Sequence, residues 1–379
     1  MDFDFNHDQE MLRDTVRKWI DKGYDFERRR KIVKAGGFER SVWGELADLG
    51  LTGLAVPAEH GGMGFGAVDA MVVMEELGRG LLLEPYAQGA LVAPGMLAGH
   101  GGAEAQAMWL PRIASGEVLV VLAQQERGAR YRLDRPATTA TGSGLNWRLS
   151  GQKTVVPAGD SADAYLVPAT VDAAGGADAI GVFLVERRAA GVKVRGYPTQ
   201  DGARGADLDL TDAPATLVAA PGRGLAALEH GIDIGIAALC AEAVGTMEKL
   251  IAITVEYMNT RKQFGVTIAT FQALRHRIAD VKMQLELARS MSYFASLKMN
   301  EPPAARKRAM AQAKLQLGQS TRFVGQQCIQ LHGGIAITDE YSASHYFKRL
   351  TVMEMTYGDS LHQLGEVAAT MQDHAGVFA

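Results

Sequence analysis

Cysteine is scarce: the 379 residues hold two, Cys240 and Cys328. Two thiols cannot staple a chain of this length, so its fold must rest on an apolar core. Both are read as small core residues in a reducing compartment. Long apolar runs are also missing. None approaches the roughly 18 residues that a membrane-spanning helix needs. The acidic opening Met1-Asp-Phe-Asp-Phe has no apolar segment of the secretory kind after it. The expectation is a soluble, cytoplasmic protein without a membrane span. Nor is there an excess of one charge: 39 Lys and Arg against 43 Asp and Glu leave −4, which argues against a nucleic-acid partner. The nine histidines include no pair three or four apart, so a helical metal site is unsupported. No G-x-S-x-G elbow occurs, which argues against an α/β-hydrolase.

What is present suits a large core: 47% hydrophobic and 22% charged residues. Residues 1–115 read as helical. Met11, Leu12, Val16, Trp19 and Ile20 recur at a helical period, and so do Val42, Trp43, Leu46 and Leu49, which stop at Gly50. Pro57–Gly66 must be a loop, with glycines at 61, 62, 64 and 66, and helical period resumes over Val68–Leu77.

The character changes near residue 116. Val118–Leu122, Thr154–Val156, Tyr165–Val167, Ile180–Val185, Val192–Val194 and Asp207–Leu210 read as short strands. Thr141–Gly144 and Ala173–Gly176 read as turns. With no helix-length segment between them, an antiparallel barrel or sandwich is expected and βαβ units are not. From Gly224 on the chain is helical again, with a stripe at Ile278, Val281, Leu285 and Ala288 and a break at Lys298–Pro303. The expected division is 1–115, 116–222 and 223–379: mainly α, with a middle β domain.

Gly222-Arg-Gly-Leu-Ala-Ala227 fits a loose dinucleotide pattern, with Glu242 20 residues beyond Gly222. That motif needs a second strand ending in the acid. Helical period runs on to Met258 instead, so the segment is read as a turn feeding a helix.

The informative stretches are Tyr257-Met-Asn-Thr-Arg261-Lys-Gln-Phe264-Gly265, then Phe271-Gln272 and Arg277-Ile-Ala-Asp280, and later Gln330-Leu-His-Gly333-Gly334. In this order and spacing they resemble the acyl-CoA dehydrogenase family. Leu49–Leu51, Pro57–Gly62 and Glu75-Glu-Leu-Gly78 extend the resemblance over nearly the whole chain. It implies an N-terminal helical domain, a β barrel or sandwich and a C-terminal four-helix bundle. It also implies FAD as cofactor, α,β-dehydrogenation of an acyl-CoA thioester and electron-transfer flavoprotein as acceptor. A guanidinium beside an aromatic suits a pyrophosphate. The resemblance puts Arg261, Phe264 and Gln272 on the FAD, and Gln330, Gly333 and Gly334 on the FAD of a neighbouring subunit.

The family's usual base is a Glu in Tyr-Glu-Gly-Thr. Counted without gaps from Gln330, it falls on Tyr357, and the nearest carboxylate is Asp359. A phenol of pKa about 10 is roughly 0.1% ionised at pH 7, and losing a positioned base costs on the order of 10²–10⁴ in rate. The alternative base position of some relatives aligns with Gly235, with Asp233 and Glu229 out of register. Asp359 is the candidate base if the chain works alone, and a hydrogen-bonding or capping role is its other reading. The flavin-flanking Trp-x-Thr reads Val155-Val156-Pro157. A flavin-bonding Thr aligns with Gln125 and a CoA-contacting Ser with Tyr131. This combination resembles the small subunits of bacterial two-chain dehydrogenases, such as those for pimeloyl-CoA and steroid side chains. The expectation is a homo-oligomer or a heterotetramer with a related Glu-bearing chain. Two readings stay open beside it: a catalytically inactive interaction subunit, and a flavin monooxygenase or oxidase on the same scaffold.

Overall fold

In a computed structural model, residues 5–144, 146–171 and 179–371 are described; the expected turn at Ala173–Gly176 lies outside them. The helices are α1 (His7–Gly23), α2 (Phe26–Ala35), α3 (Arg40–Asp48), α4 (Ala67–Gly80), α5 (Ala93–His100), α6 (Ala103–Ala114), α7 (Gly224–Thr260), α8 (Gln272–Lys298), α9 (Pro303–His332), α10 (Ser342–Met355) and α11 (Ser360–Ala369). The strands are β1 (Val120–Leu122), β2 (Thr139–Ser143), β3 (Asn146–Pro157), β4 (Ala164–Thr170), β5 (Ile180–Glu186), β6 (Val192–Pro198) and β7 (Arg204–Ala219), with β8 (Lys262–Gln263) and β9 (Val266–Thr267) forming a separate hairpin. The chain packs as two compact units. One holds the residues up to Arg30, Ala67–Leu82 and those from Ile236 on; the other holds Lys31–Gly66 and Leu83–Gly235.

The second unit contains the sheet. Strand β4 pairs with β2, β2 with β3, β3 with β7, β7 with β5, and β5 returns to β4. This closure is a five-stranded barrel, which removes exposed edges. The 16-residue β7 carries β6 along its first half and β5 along its end. Two pairings, β1–β4 and β2–β4, are parallel, so the barrel is antiparallel except there. Val120, Val121, Leu122, Leu166, Val167 and Phe183 are fully buried, on one face or the other of their strands. Strand β2 escapes sequence reading because it is polar and mostly exposed; its second half is the segment Thr141–Gly144 that reads as a turn. The barrel also buries a charged pair. Glu126 accepts from Lys153 Nζ at 2.6 Å, from Thr138 Oγ1 at 2.7 Å and from the backbone N–H of Ala137 at 2.6 Å. Lys153 donates again to Pro168 O. A buried pair is tolerable only when so fully hydrogen-bonded.

In the first unit, two glycines let α4 and α7 meet backbone to backbone. A Cβ at Gly78 would collide with Glu242 O, and one at Gly245 with Glu75 O. Arg349 of α10 holds Glu242 of α7 in a two-pronged pair at 2.7 and 2.8 Å. Helix α9 packs along α8, α10 and α11. Its buried stripe runs Met310, Leu317, Thr321, Val324, Cys328 and Leu331. Cys240 and Cys328 are both buried and free. Helix α2 is not legible in the sequence, because its arginines and lysines hide any apolar period. Arg29 is nevertheless buried, donating to Leu81 O at 2.9 Å. No described helix is long and apolar enough to cross a membrane.

Candidate cofactor site

Helix α7 ends at Thr260 and the chain reverses in a two-residue turn, Phe264-Gly265, between β8 and β9. Both turn residues have positive φ, 54° and 84°, as tight hairpins of the I′ type demand. Asn or Asp normally fills the first place. An aromatic there is strained, and strain of this kind gathers at functional positions. Phe264 is also 92% exposed, so it contributes almost nothing to the core. Among the described residues, its ring contact is edge-on to Phe271, at 6.1 Å.

The base of the hairpin is firm. Arg261 N–H donates to Tyr257 O at 2.8 Å, and Ile268 N–H to Arg261 O at 2.9 Å. Met258, Ile268 and Leu331 form a buried cluster joined by Phe271, Leu274 and Ile278. Leu331 belongs to α9, so this cluster ties the hairpin to the end of α9. Gln330 there is exposed, and Gly333, with φ 67°, ends the helix. The ring of buried His332 packs at a tilt on Tyr257, 4.8 Å away, with Nδ1 2.8 Å from Cys328 O. Burial holds its pKa below the usual imidazole value, against the bond to Cys328.

Arg261, Phe264, Gln272, Gln330, Gly333 and Gly334 therefore lie at one end of the same unit, and all are exposed. Arg261 has no carboxylate within ion-pair distance among the described residues. Nothing approaches within 4 Å of where a Cβ would stand on Gly265, Gly333 or Gly334. An unpaired guanidinium, an uncovered aromatic and open glycine backbone make a donor set that fits a dinucleotide: charge for the pyrophosphate, a ring face, and close backbone approach.

The second region is the turn from α10 into α11. Tyr357 and Gly358 have φ of 58° and 106°. Asp359 caps α11, its Oδ1 accepting from His362 N–H at 2.9 Å. Its carboxylate is thus engaged in the capping role that is its alternative reading. Tyr357 O accepts from Gln363 Nε2 at 2.8 Å, and Ser360 donates through N–H and Oγ to Glu354 Oε1.

Three family models match in chain order: the acyl-CoA dehydrogenase N-terminal domain over residues 6–117, the middle domain over 122–212 and the C-terminal domain over 222–372. The chain belongs to the acyl-CoA dehydrogenase family. It is 29% identical to the acyl-CoA dehydrogenase FadE27 of Mycobacterium tuberculosis over 98% of this chain and 99% of that one. Among solved structures, a variant of the Tcur3481-Tcur3483 steroid ACAD is 29% identical with a TM-score of 0.88, covering 97% of this chain and 99% of that one. A chain of the ChsE4-ChsE5 complex from M. tuberculosis is 27% identical with a TM-score of 0.88, covering 98% and 99%. PigA, solved with FAD and proline, shares the fold at 22% identity and a TM-score of 0.91, covering 98% and 99%.

The second unit holds the positions expected from the resemblance to flank a flavin. Val155 has φ 52° at a bulge in β3, a conformation that β-branched residues rarely adopt. Its N–H donates to Tyr197 OH at 3.1 Å, and Thr154 N–H to Gln125 O at 2.8 Å. Tyr131 lies under the Arg130 guanidinium, 5.1 Å away. Asp233 is buried and Glu229 half-buried.

Sequence reasoning missed Lys314. It lies in α9, wholly buried, with Nζ 2.8 Å from Glu354 O and 3.0 Å from Gly358 O. The signal was present: a lysine inside the apolar stripe between Met310 and Leu317 is either paired or functional.

Proposed function

We propose that this chain is an FAD-binding subunit of a heteromeric acyl-CoA dehydrogenase, acting in the α,β-dehydrogenation of an acyl-CoA thioester with the base supplied by a related, Glu-bearing chain. The observation that carries it is the exposed end of the first unit. Unpaired Arg261, strained Phe264 and the open glycines 333 and 334 stand together there and turn outward. A group that is strained, exposed and joined to no core makes sense when another molecule covers it.

FAD, when bound, supplies the hydride acceptor. Arg261 would hold its pyrophosphate, Phe264 would cover a ring, and the backbone at Gly333 and Gly334 would approach it closely. The single Met258–Ile268–Leu331 cluster under both motifs favours their acting on one and the same FAD. That modifies the expected split between one chain and the next. Tyr357 brings no carboxylate, and the cap made by Asp359 favours a structural role for it. Both features favour a base from elsewhere. Electron-transfer flavoprotein is the proposed acceptor. The division into 1–115, 116–222 and 223–379 is likewise proposed, supported by the spans of the three family models.

The reading of an inactive interaction subunit is favoured by one observation, the Val155-Val156-Pro157 segment, which offers no aromatic or hydroxyl side chain to a flavin. Co-expression with a neighbouring dehydrogenase-like chain decides between them. The expected result is a joint mass in native measurement, a yellow complex, and bleaching by acyl-CoA that neither chain achieves alone. Acyl-CoA turnover by this chain alone, with mass and rate unchanged by the partner, would refute the heteromer. A colourless complex would favour the inactive reading.

A further inference from the structure

Lys314 has a position that folding alone does not call for. Every other side chain in its stripe, from Met310 to Leu331, is apolar or a small hydroxyl or thiol. A lysine is expensive to bury. Its Nζ bridges two carbonyls that belong to different elements: Glu354 O, in the last turn of α10, and Gly358 O, in the turn before α11. Between these two anchors lies Tyr357, in a left-handed conformation, with Gly358 left-handed after it. Gln363 closes the turn from the other side through Tyr357 O. A Cβ at Gly358 would collide with the side chains of His362 and Gln363, so the turn has little slack.

We propose that Lys314 is a positioning residue: by donating to Glu354 O and Gly358 O at once, it fixes the Tyr357–Gly358 turn in the place that the family assigns to proton abstraction, and so sets how a CoA thioester is held there. The last step rests on the functional reading above; the hold on the turn does not.

The groups facing the ammonium are Cys240 from α7, Glu354 from α10 and Asp359 from the start of α11. Burial lowers its pKa to about 8, while Cys240, Glu354 and Asp359 act to raise it. A charged donor makes hydrogen bonds roughly twice as strong as a neutral one. The lowered pKa means that burial outweighs that gain, so an opening that hydrates the ammonium takes up protons, and the turn should tighten as pH rises through the lysine's titration. Global stability moves the same way. The folded-state pKa lies below the unfolded value, so above pH 8 the folded chain sheds its buried charge first, and stability rises. A pH response at this turn that disappears with Lys314 is a signature that packing alone would not give.

The test is amide hydrogen exchange of the full chain between pH 6.5 and 9.5, read as protection factors. Protection over 355–363 should rise at least fivefold above pH 8, and the Tm should hold or rise. In Lys314→Met, protection there should be low and independent of pH. With FAD bound, the affinity for a non-reacting acyl-CoA thioether should weaken about tenfold in the variant and lose its pH dependence. Wild-type protection over 355–363 that stays flat through pH 8 would overturn the proposal, even if the variant fails to fold. A folded Lys314→Met with wild-type protection and affinity would also overturn it. If wild type binds no thioether at any pH, the functional reading fails, and the exchange result still decides the hold on the turn.

Discussion

Phe264→Asn should stabilise the protein free of cofactor and weaken its hold on FAD. A non-glycine residue with φ 54° bears on the order of 1 kcal/mol of strain, and Asn followed by Gly265 is the pair that this turn favours. The ring is 92% exposed, so its removal uncovers little apolar area. The opposing term is the edge contact with Phe271 at 6.1 Å. Such a contact is worth about 0.5–1.5 kcal/mol when buried and is near the low end here. The balance is a gain of roughly 0.5 kcal/mol, a rise of about 0.6 °C in Tm. If the exposed ring covers the cofactor, its loss uncovers apolar area on both partners. At about 25 cal/mol per Å², 80 Å² or so corresponds to ~2 kcal/mol, near thirtyfold in Kd. Differential scanning calorimetry of the apoprotein and FAD titration by fluorescence quenching measure the two sides. A variant more than about 1 kcal/mol less stable, or one that binds FAD as wild type does, would show that Phe264 is held for another reason.

Arg261→Ala should lower FAD affinity by roughly tenfold to a hundredfold, the worth of a charge-assisted contact, and leave the apoprotein Tm unchanged, because the side chain is exposed and has no acid partner among the described residues. Unchanged flavin content after purification would remove it from the site. Glu75, of α4, is pushed up to about 7, first by burial and then by the nearby Glu248, against the pull of Arg289. A folded-state pKa raised above the unfolded value makes this group cost stability as pH rises from about 4.5 to 7. Glu75→Gln should therefore gain on the order of 1–2 kcal/mol over wild type at pH 8 and nothing at pH 4.5, read from urea unfolding at the two pH values. An equal effect at both would show that the carboxyl is not titrating in this range.

The parts of this fold that can be read from sequence are those where one signal dominates. Gly50, with φ 76°, ends the third helix as expected. The last three long helices keep their apolar stripes, and the strands carrying Val, Ile and Leu in the barrel are recognisable. Strand β7 reads as four residues and spans 16, because Asp212, with φ 49°, and Pro214 look like a break and act as an irregularity inside one long strand. Helix α2 and strand β2 escape for the opposite reason, since their polar residues carry no period. The two candidate cofactor motifs stand out in the sequence 60–70 residues apart, but their common base does not, because Met258, Ile268 and Leu331 meet only in three dimensions. Spacing likewise points to the displaced carboxylate but cannot tell a base from a cap. The cap itself is seen only in the 2.9 Å bond from His362 N–H.

Two left-handed residues frame the division of labour proposed for this chain. Phe264 is strained and uncovered, and its neighbours leave room for a ligand. Tyr357 is strained too, but it is held on every side, by Gln363 at its carbonyl and by Lys314 at the next one. Relaxing the hairpin would cost the chain only the edge contact with Phe271, which favours an outside reason for keeping the strain. Strain in the Tyr357 turn is locked in by a buried ammonium, a costly device for a loop whose side chain supplies no base. The lock makes sense if what matters there is the path of the backbone. Under the proposed division, a chain that keeps the backbone of this turn and an exposed cofactor hairpin, but has no glutamate at the turn, would still offer its backbone to a bound thioester and its hairpin to FAD, and would leave the proton transfer to its partner.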